Sequence, residues 1–172
     1  MAQEHYTRTN QKVLFAGVAL ENWRRHLDGA AFNQQALVQA EREACLFHLY
    51  GAVLALCHEV AGYYRMSAMS APRVEDYLDA AILAHEPNPE LAELHELALS
   101  EQTWLAQLLG AHAALYTPPQ AEKSGKVDPA LPLIAAVQLD ANEPVLEVEE
   151  LERWRDALKK LILRFREGLS EC

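Results

Sequence analysis

Residues 36–64 are rich in apolar side chains, and the middle of the stretch, residues 44–57, carries no formal charge once His48 is neutral. A helix that is apolar nearly all round is either a membrane span or the buried centre of a bundle. A span needs about 20 uninterrupted apolar residues. Here Arg42 and Glu43 close one end of the run, His58 and Glu59 close the other, and His48 interrupts the middle. The stretch therefore reads as the central helix of a soluble bundle, starting from an Asn33 cap and ending near Met66. Its bulky residues, among them Leu46, Leu49, Val53, Leu56 and Val60, share one broad face. A second face is lined by Ala40, Ala44, Gly51, Ala55 and Gly62, where small side chains let another helix approach closely.

The flanking segments show the same period. Tyr6, Asn10, Val13, Leu14, Gly17, Leu20 and Leu27 recur at helical spacing and predict a first helix over residues 5–27, ended by Asp28 and Gly29. Asn10 falls on that apolar stripe and should hydrogen-bond to another helix. Pro72, with Glu75 and Asp76 behind it, predicts a short helix over 73–85. Asn88 and Pro89 open a fourth helix expected to run unbroken to residue 116, where Pro118 and Pro119 stop it. Leu151, Trp154, Leu158, Leu161, Ile162, Phe165 and Leu169 form a single stripe on a last helix over 146–170, acidic at its start and basic at its end. Between these two helices, residues 117–146 hold five prolines and the apolar run from Leu131 to Leu139. So long a connection is either disordered or functional. The favoured reading is a strap across the bundle; the other is a cover over a partner or ligand groove. The pattern as a whole predicts one all-α domain, residues 1–172: an up-down bundle of four long helices and one short helix, with a Pro-rich crossing segment.

Composition narrows the function more than the fold. The chain has 172 residues and a formal net charge of −10, which disfavours extended nucleic-acid binding. Three cysteines do not make a secreted disulfide framework, and Cys45 and Cys57 stand about 18 Å apart along one helix, too far to bridge. The polar opening lacks the apolar core of a signal peptide. A cytoplasmic protein with no membrane attachment and no cofactor is expected. Glycine-rich phosphate loops, nucleophile-elbow pentapeptides and Cys-x-x-Cys pairs are absent from the sequence.

Two constellations could carry chemistry. Glu41, His48 and Glu59 project along one edge of the central helix, and Glu101 and His112 fall within the stripe of the fourth. Were those edges to face each other, His48, Glu59, Glu101 and His112 would be candidate metal ligands, as in helical di-metal sites. The Glu-x-x-His pairs those sites use do not occur here, so no metal site is assigned and hydrogen-bonded core histidines are the favoured reading. Arg42 and His48 also fit the loose arginine–histidine spacing of HEPN-type helical ribonucleases, in which they would stabilise and protonate a phosphate ester. That resemblance covers one pair of residues, with Glu43 where those enzymes favour Asn, Asp or His, and about one such match is expected by chance.

The opening from Tyr6 to Lys12, leading into Phe15 to Glu21, resembles the start of an uncharacterised family of short helical proteins from gamma-proteobacteria. The resemblance implies an all-helical fold and assigns no activity. The expectation is a non-enzymatic, self-associating interaction module, a homodimer in its simplest form, that binds protein through a groove beside residues 117–146. The alternative is a hydrolase with its site in the bundle interior, metal-dependent or HEPN-like.

Overall fold

The apolar run becomes the longest helix of the molecule. In the computed structural model, which describes residues 2–67, 69–118 and 146–170 with side chains from Tyr6 to Leu169, α2 spans Gln34–Tyr64 and is preceded by α1, Ala2–Asp28. The remaining helices among the described residues are α3 (Ala80–His85), α4 (Pro89–Leu99), α5 (Trp104–Ala114) and α6 (Val148–Ser170). No strand occurs among them. Residues 119–145, on which the expected crossing segment falls, lie outside the described residues.

By length and composition α2 could cross a membrane, but 61% of its apolar window is buried inside the fold. Leu49, Val53, Leu56 and Val60 are fully buried on its bulky face. On the α1 side, Ala16 and Ala19 meet a helix whose Ala52 and Ala55 are equally buried. With so little side chain between them, α1 and α2 lie side by side along most of their length. They run antiparallel: Thr9 pairs with Glu59 near one end, and His26 approaches Glu41 to 3.8 Å near the other. This close fit moves the α1 stripe from its expected line. Thr9, Val13, Ala16, Leu20 and Trp23 face inward, whereas Leu14 and Leu27 are exposed.

α6 closes the core as expected, burying Leu151, Trp154, Leu158, Leu161, Ile162, Phe165 and Leu169. Arg155 fastens it to α1. Its Nε donates to the Val13 carbonyl oxygen at 3.0 Å, and a Cβ at Gly17 would stand only 2.7 Å from its guanidinium. Gly17 is thus what lets the arginine reach the α1 backbone. Gly17→Ala gains about 0.5–1 kcal/mol of helix stability but displaces Arg155. Urea denaturation should therefore find it near neutral in the natural chain and stabilising by about that amount when Arg155 is already alanine.

Three expected boundaries need correction. Asn33 occupies the cap position of α2 but makes no side-chain cap hydrogen bond. The helix expected over 73–85 survives only as α3, capped by Asp79, whose side chain accepts from the Ala81 N–H at 2.7 Å. Before it the chain runs through turns whose backbone N–H groups go to tyrosines: Val74 donates to the Tyr50 hydroxyl at 3.1 Å and Ala71 to the Tyr77 hydroxyl at 2.8 Å. The fourth helix is broken in two, since Ser100 leaves the helix in extended conformation and Thr103 begins α5 as its cap. The Thr103 hydroxyl accepts from the Ala106 N–H at 3.2 Å and donates back to the Leu97 carbonyl. It thus satisfies one orphaned group of each helix. Asn88 caps α4 as the sequence implied, its side chain accepting from the Leu91 N–H at 2.9 Å.

Candidate functional site

The most unusual group in the interior is the carboxylate of Glu59, whose side chain is 1% exposed. An isolated ionised carboxylate at such a position is strongly unfavourable unless it is paired and hydrogen-bonded. The fold meets this from two directions. Arg166 of α6 grips it with two parallel contacts, Nη2 to Oε1 at 2.7 Å and Nε to Oε2 at 3.0 Å, the bidentate geometry that suits arginine to carboxylates. Thr9 of α1 donates its hydroxyl to Oε1. The arginine is held in turn by the first helix: Nη1 donates to Asn10 Oδ1 at 2.9 Å, and the guanidinium lies 4.6 Å from the centre of the Tyr6 ring. Three helices thus meet at one ion pair. The hydrogen bond expected of Asn10 is present, and it goes to α6.

A second cluster lies where α2 meets α5. His112 stacks on Tyr50 with ring centres 3.8 Å apart and planes within 6°. Phe47 and Tyr116 meet His112 edge-on at 5.5 and 5.4 Å. The Tyr50 hydroxyl donates to Glu75 Oε2 at 2.9 Å, and burial pushes its phenol up to about 12. Burial also lowers the pKa of His112. His48 is lowered by burial and by the nearby Lys12 charge; its Nδ1 is buried and meets no hydrogen-bonding group among the described residues. Both imidazoles are held toward the neutral form, so near pH 6 the unfolded chain binds more protons than the folded one. Their contribution is complete above the ordinary histidine value of 6.5 and is lost as pH falls below it. Thermal melts should show lower stability at about pH 5 than at about pH 7.5, with the difference reduced in His112→Phe, which keeps the ring contacts.

The residues considered as metal ligands are not gathered together. His48 lies edge-on to Phe15 of α1 at 5.3 Å. Glu59 is taken up by Arg166 and Thr9. Glu101 is exposed in the link between α4 and α5, and His112 stacks on Tyr50. Among the described residues no group of three His, Cys, Asp or Glu side chains could hold a metal ion. The edge from Glu41 through His48 to Glu59 is instead the seam with α1, which contributes His26, Phe15 and Thr9 respectively. Arg42 is half-buried on the same helix as His48. Burial raises the thiols of Cys45, to about 12, and Cys57, which leaves both unreactive.

Nothing in this geometry ties the fold to an activity, and comparison of the sequence places it accordingly. A model described as a family of unknown function (DUF6586) matches residues 1–172. The chain belongs to that family. No curated protein and no solved structure matches it. For this DUF6586 protein the side chains that sequence reading missed are Arg166 and Thr9. Arg166 sits among the basic residues bordering the α6 stripe, where such side chains ordinarily face water. The available signal was Glu59 itself, since a carboxylate on the most apolar helix requires a cation within reach.

Proposed function

We propose that this DUF6586 protein is a non-enzymatic helical-bundle module that self-associates, as a homodimer, and works through protein contacts in the cytoplasm rather than through nucleic acid or membrane. The frame we assign it is an up-and-down bundle of four helical columns, with α4 and α5 sharing one. The opposed pairings of Thr9 with Glu59 and of Arg24 with Glu152 support that arrangement. One observation carries the functional reading. At the tip of the α1–α2 hairpin Phe32 is fully exposed, with Leu27 half-exposed nearby. An aromatic ring buries about 150–250 Å² when covered and is a frequent anchor of interfaces. A ring held entirely in water at the end of the longest hairpin therefore favours contact with a second molecule. The hydrolase alternative has less behind it, with Glu59 committed to Arg166 and Glu101 in solvent.

The test is sedimentation equilibrium of the natural chain beside Leu27→Ser/Phe32→Ser. Concentration-dependent dimerisation weakened at least tenfold in the variant is expected, with the helical circular-dichroism spectrum of the natural chain retained, since Phe32 is fully exposed and Leu27 half-exposed. A natural chain that stays monomeric at every concentration, or a variant that dimerises equally well, overturns the reading.

A further inference from the structure

Among the described residues, the side of α2 between α1 and α5 is only partly covered over its first half. Phe47 is 41% exposed and Phe15 38% exposed. Between and beside them Ala40 is exposed and Ala44 is half-buried, so the strip has a floor of small residues and aromatic edges; the Lys12 side chain lies over Gly51 and closes its far end. Phe15 borders it from α1 through its contact with His48. Tyr116 borders it from the end of α5, its ring 6.0 Å from that of Phe47. Further along α2 the same side is covered, where His58 donates to the Ala71 carbonyl at 2.9 Å and Tyr77 meets the His58 ring.

Residues 119–145 leave the described chain beside this strip and rejoin it at the same end of the fold. Pro118 follows directly after Tyr116 and Thr117. Leu146 packs against the core at the start of α6, where Glu152 pairs with Arg24. Arg24 lies two residues from His26, the neighbour of Glu41, and Glu41 is under two helical turns from Phe47. Both ends of residues 119–145 are therefore at one end of the fold. Leu131, Leu133, Ile134, Val137 and Leu139 make that stretch strongly apolar, and such a run is driven out of water. From 118 to 131 the chain can reach about 40 Å, and from 139 to 146 about 20 Å. Tethered at both ends, the run faces the strip at an effective concentration that a second molecule does not match in dilute solution.

We propose that residues 131–139 of the same chain dock on the strip formed by Phe15, Ala40, Ala44, Phe47 and Tyr116. This contact is separate from the hairpin tip and stands whether or not the protein dimerises. The experiment places the photo-crosslinking residue p-benzoylphenylalanine at Phe15 or Phe47, with exposed Leu163 of α6 as control. Illumination of the full chain is expected to give a product of monomer mobility. Its tryptic peptide 127–153 should be attached through residues 131–139, with no such product from Leu163. Attachment to those residues at dimer mobility would make a second copy the occupant and overturn the proposal, as would cross-links that avoid 131–139. In a second measurement Leu133→Ser/Ile134→Ser/Val137→Ser should raise the fluorescence of an apolar dye several-fold. A further Phe47→Ser change should reverse the rise, and an unchanged signal also overturns the proposal.

Discussion

Replacing Arg166 with methionine should destabilise the protein by about 3–5 kcal/mol, because it leaves the buried Glu59 carboxyl group without its cationic partner and with only Thr9 to hold it. The opposite truncation is predicted to be milder. Glu59→Gln keeps a group that can accept from Thr9, and Arg166 is 20% exposed and retains Asn10, so about 1–3 kcal/mol is expected for a weakened charged hydrogen bond. Removing both partners separates the penalty of an orphaned charge from the net worth of the pair. Glu59→Leu/Arg166→Met replaces the ion pair with apolar volume, and such exchanges are often neutral or stabilising. Urea denaturation of the natural chain, Arg166→Met, Glu59→Leu and the double variant gives the cycle directly. A double variant as unstable as Arg166→Met alone would mean that the pair, with Tyr6, Asn10 and Thr9 around it, contributes packing that apolar residues do not reproduce.

The asymmetry at Glu59 also shows why parts of this fold could be read from sequence and others not. The all-helical class, the central position of α2, the α6 stripe and the Asn88–Pro89 helix start all follow from local rules: apolar period, charge placement and capping chemistry. Departures occur where a choice between two local solutions is made by distant residues. Ser100 and Thr103 are polar positions within an otherwise helical pattern. Thr103 becomes a cap because its hydroxyl can serve both the Leu97 carbonyl and the Ala106 N–H. The segment before α3 has good helix-start residues, yet its N–H groups are captured by tyrosines 24 and 6 positions away in the chain. At the candidate site, sequence identified Asn10 as needing a partner but read Glu59 only as a candidate metal ligand and did not name Arg166, since that contact joins residues 107 positions apart. The acidic and imidazole edge of α2 was visible as a line of polar groups. That it serves as the α1 seam depended on how closely two alanine-rich faces could approach.

Tyr77→Ala should be the most damaging single change outside the ion pair, at about 3–5 kcal/mol, the range for removing a large buried aromatic side chain. Tyr77 is fully buried. Its ring meets His58 edge-on at 5.6 Å, and its hydroxyl accepts the Ala71 N–H. His58 in turn donates to the carbonyl of that same Ala71 at 2.9 Å, so both backbone groups of one residue are held by a pair of side chains that touch each other. This arrangement anchors the turns between α2 and α3, which have no helical hydrogen-bond ladder of their own. Tyr77→Phe separates the two contributions: the ring stays, the Ala71 N–H loses its acceptor, and about 1–3 kcal/mol is lost. Amide hydrogen exchange provides the decisive readout. In Tyr77→Phe faster exchange should be confined to the turns around Ala71, whereas in Tyr77→Ala it should extend through α3 and into the last turns of α2. Uniform acceleration over all helices in the Phe variant would show that the hydroxyl supports global stability rather than this one connection.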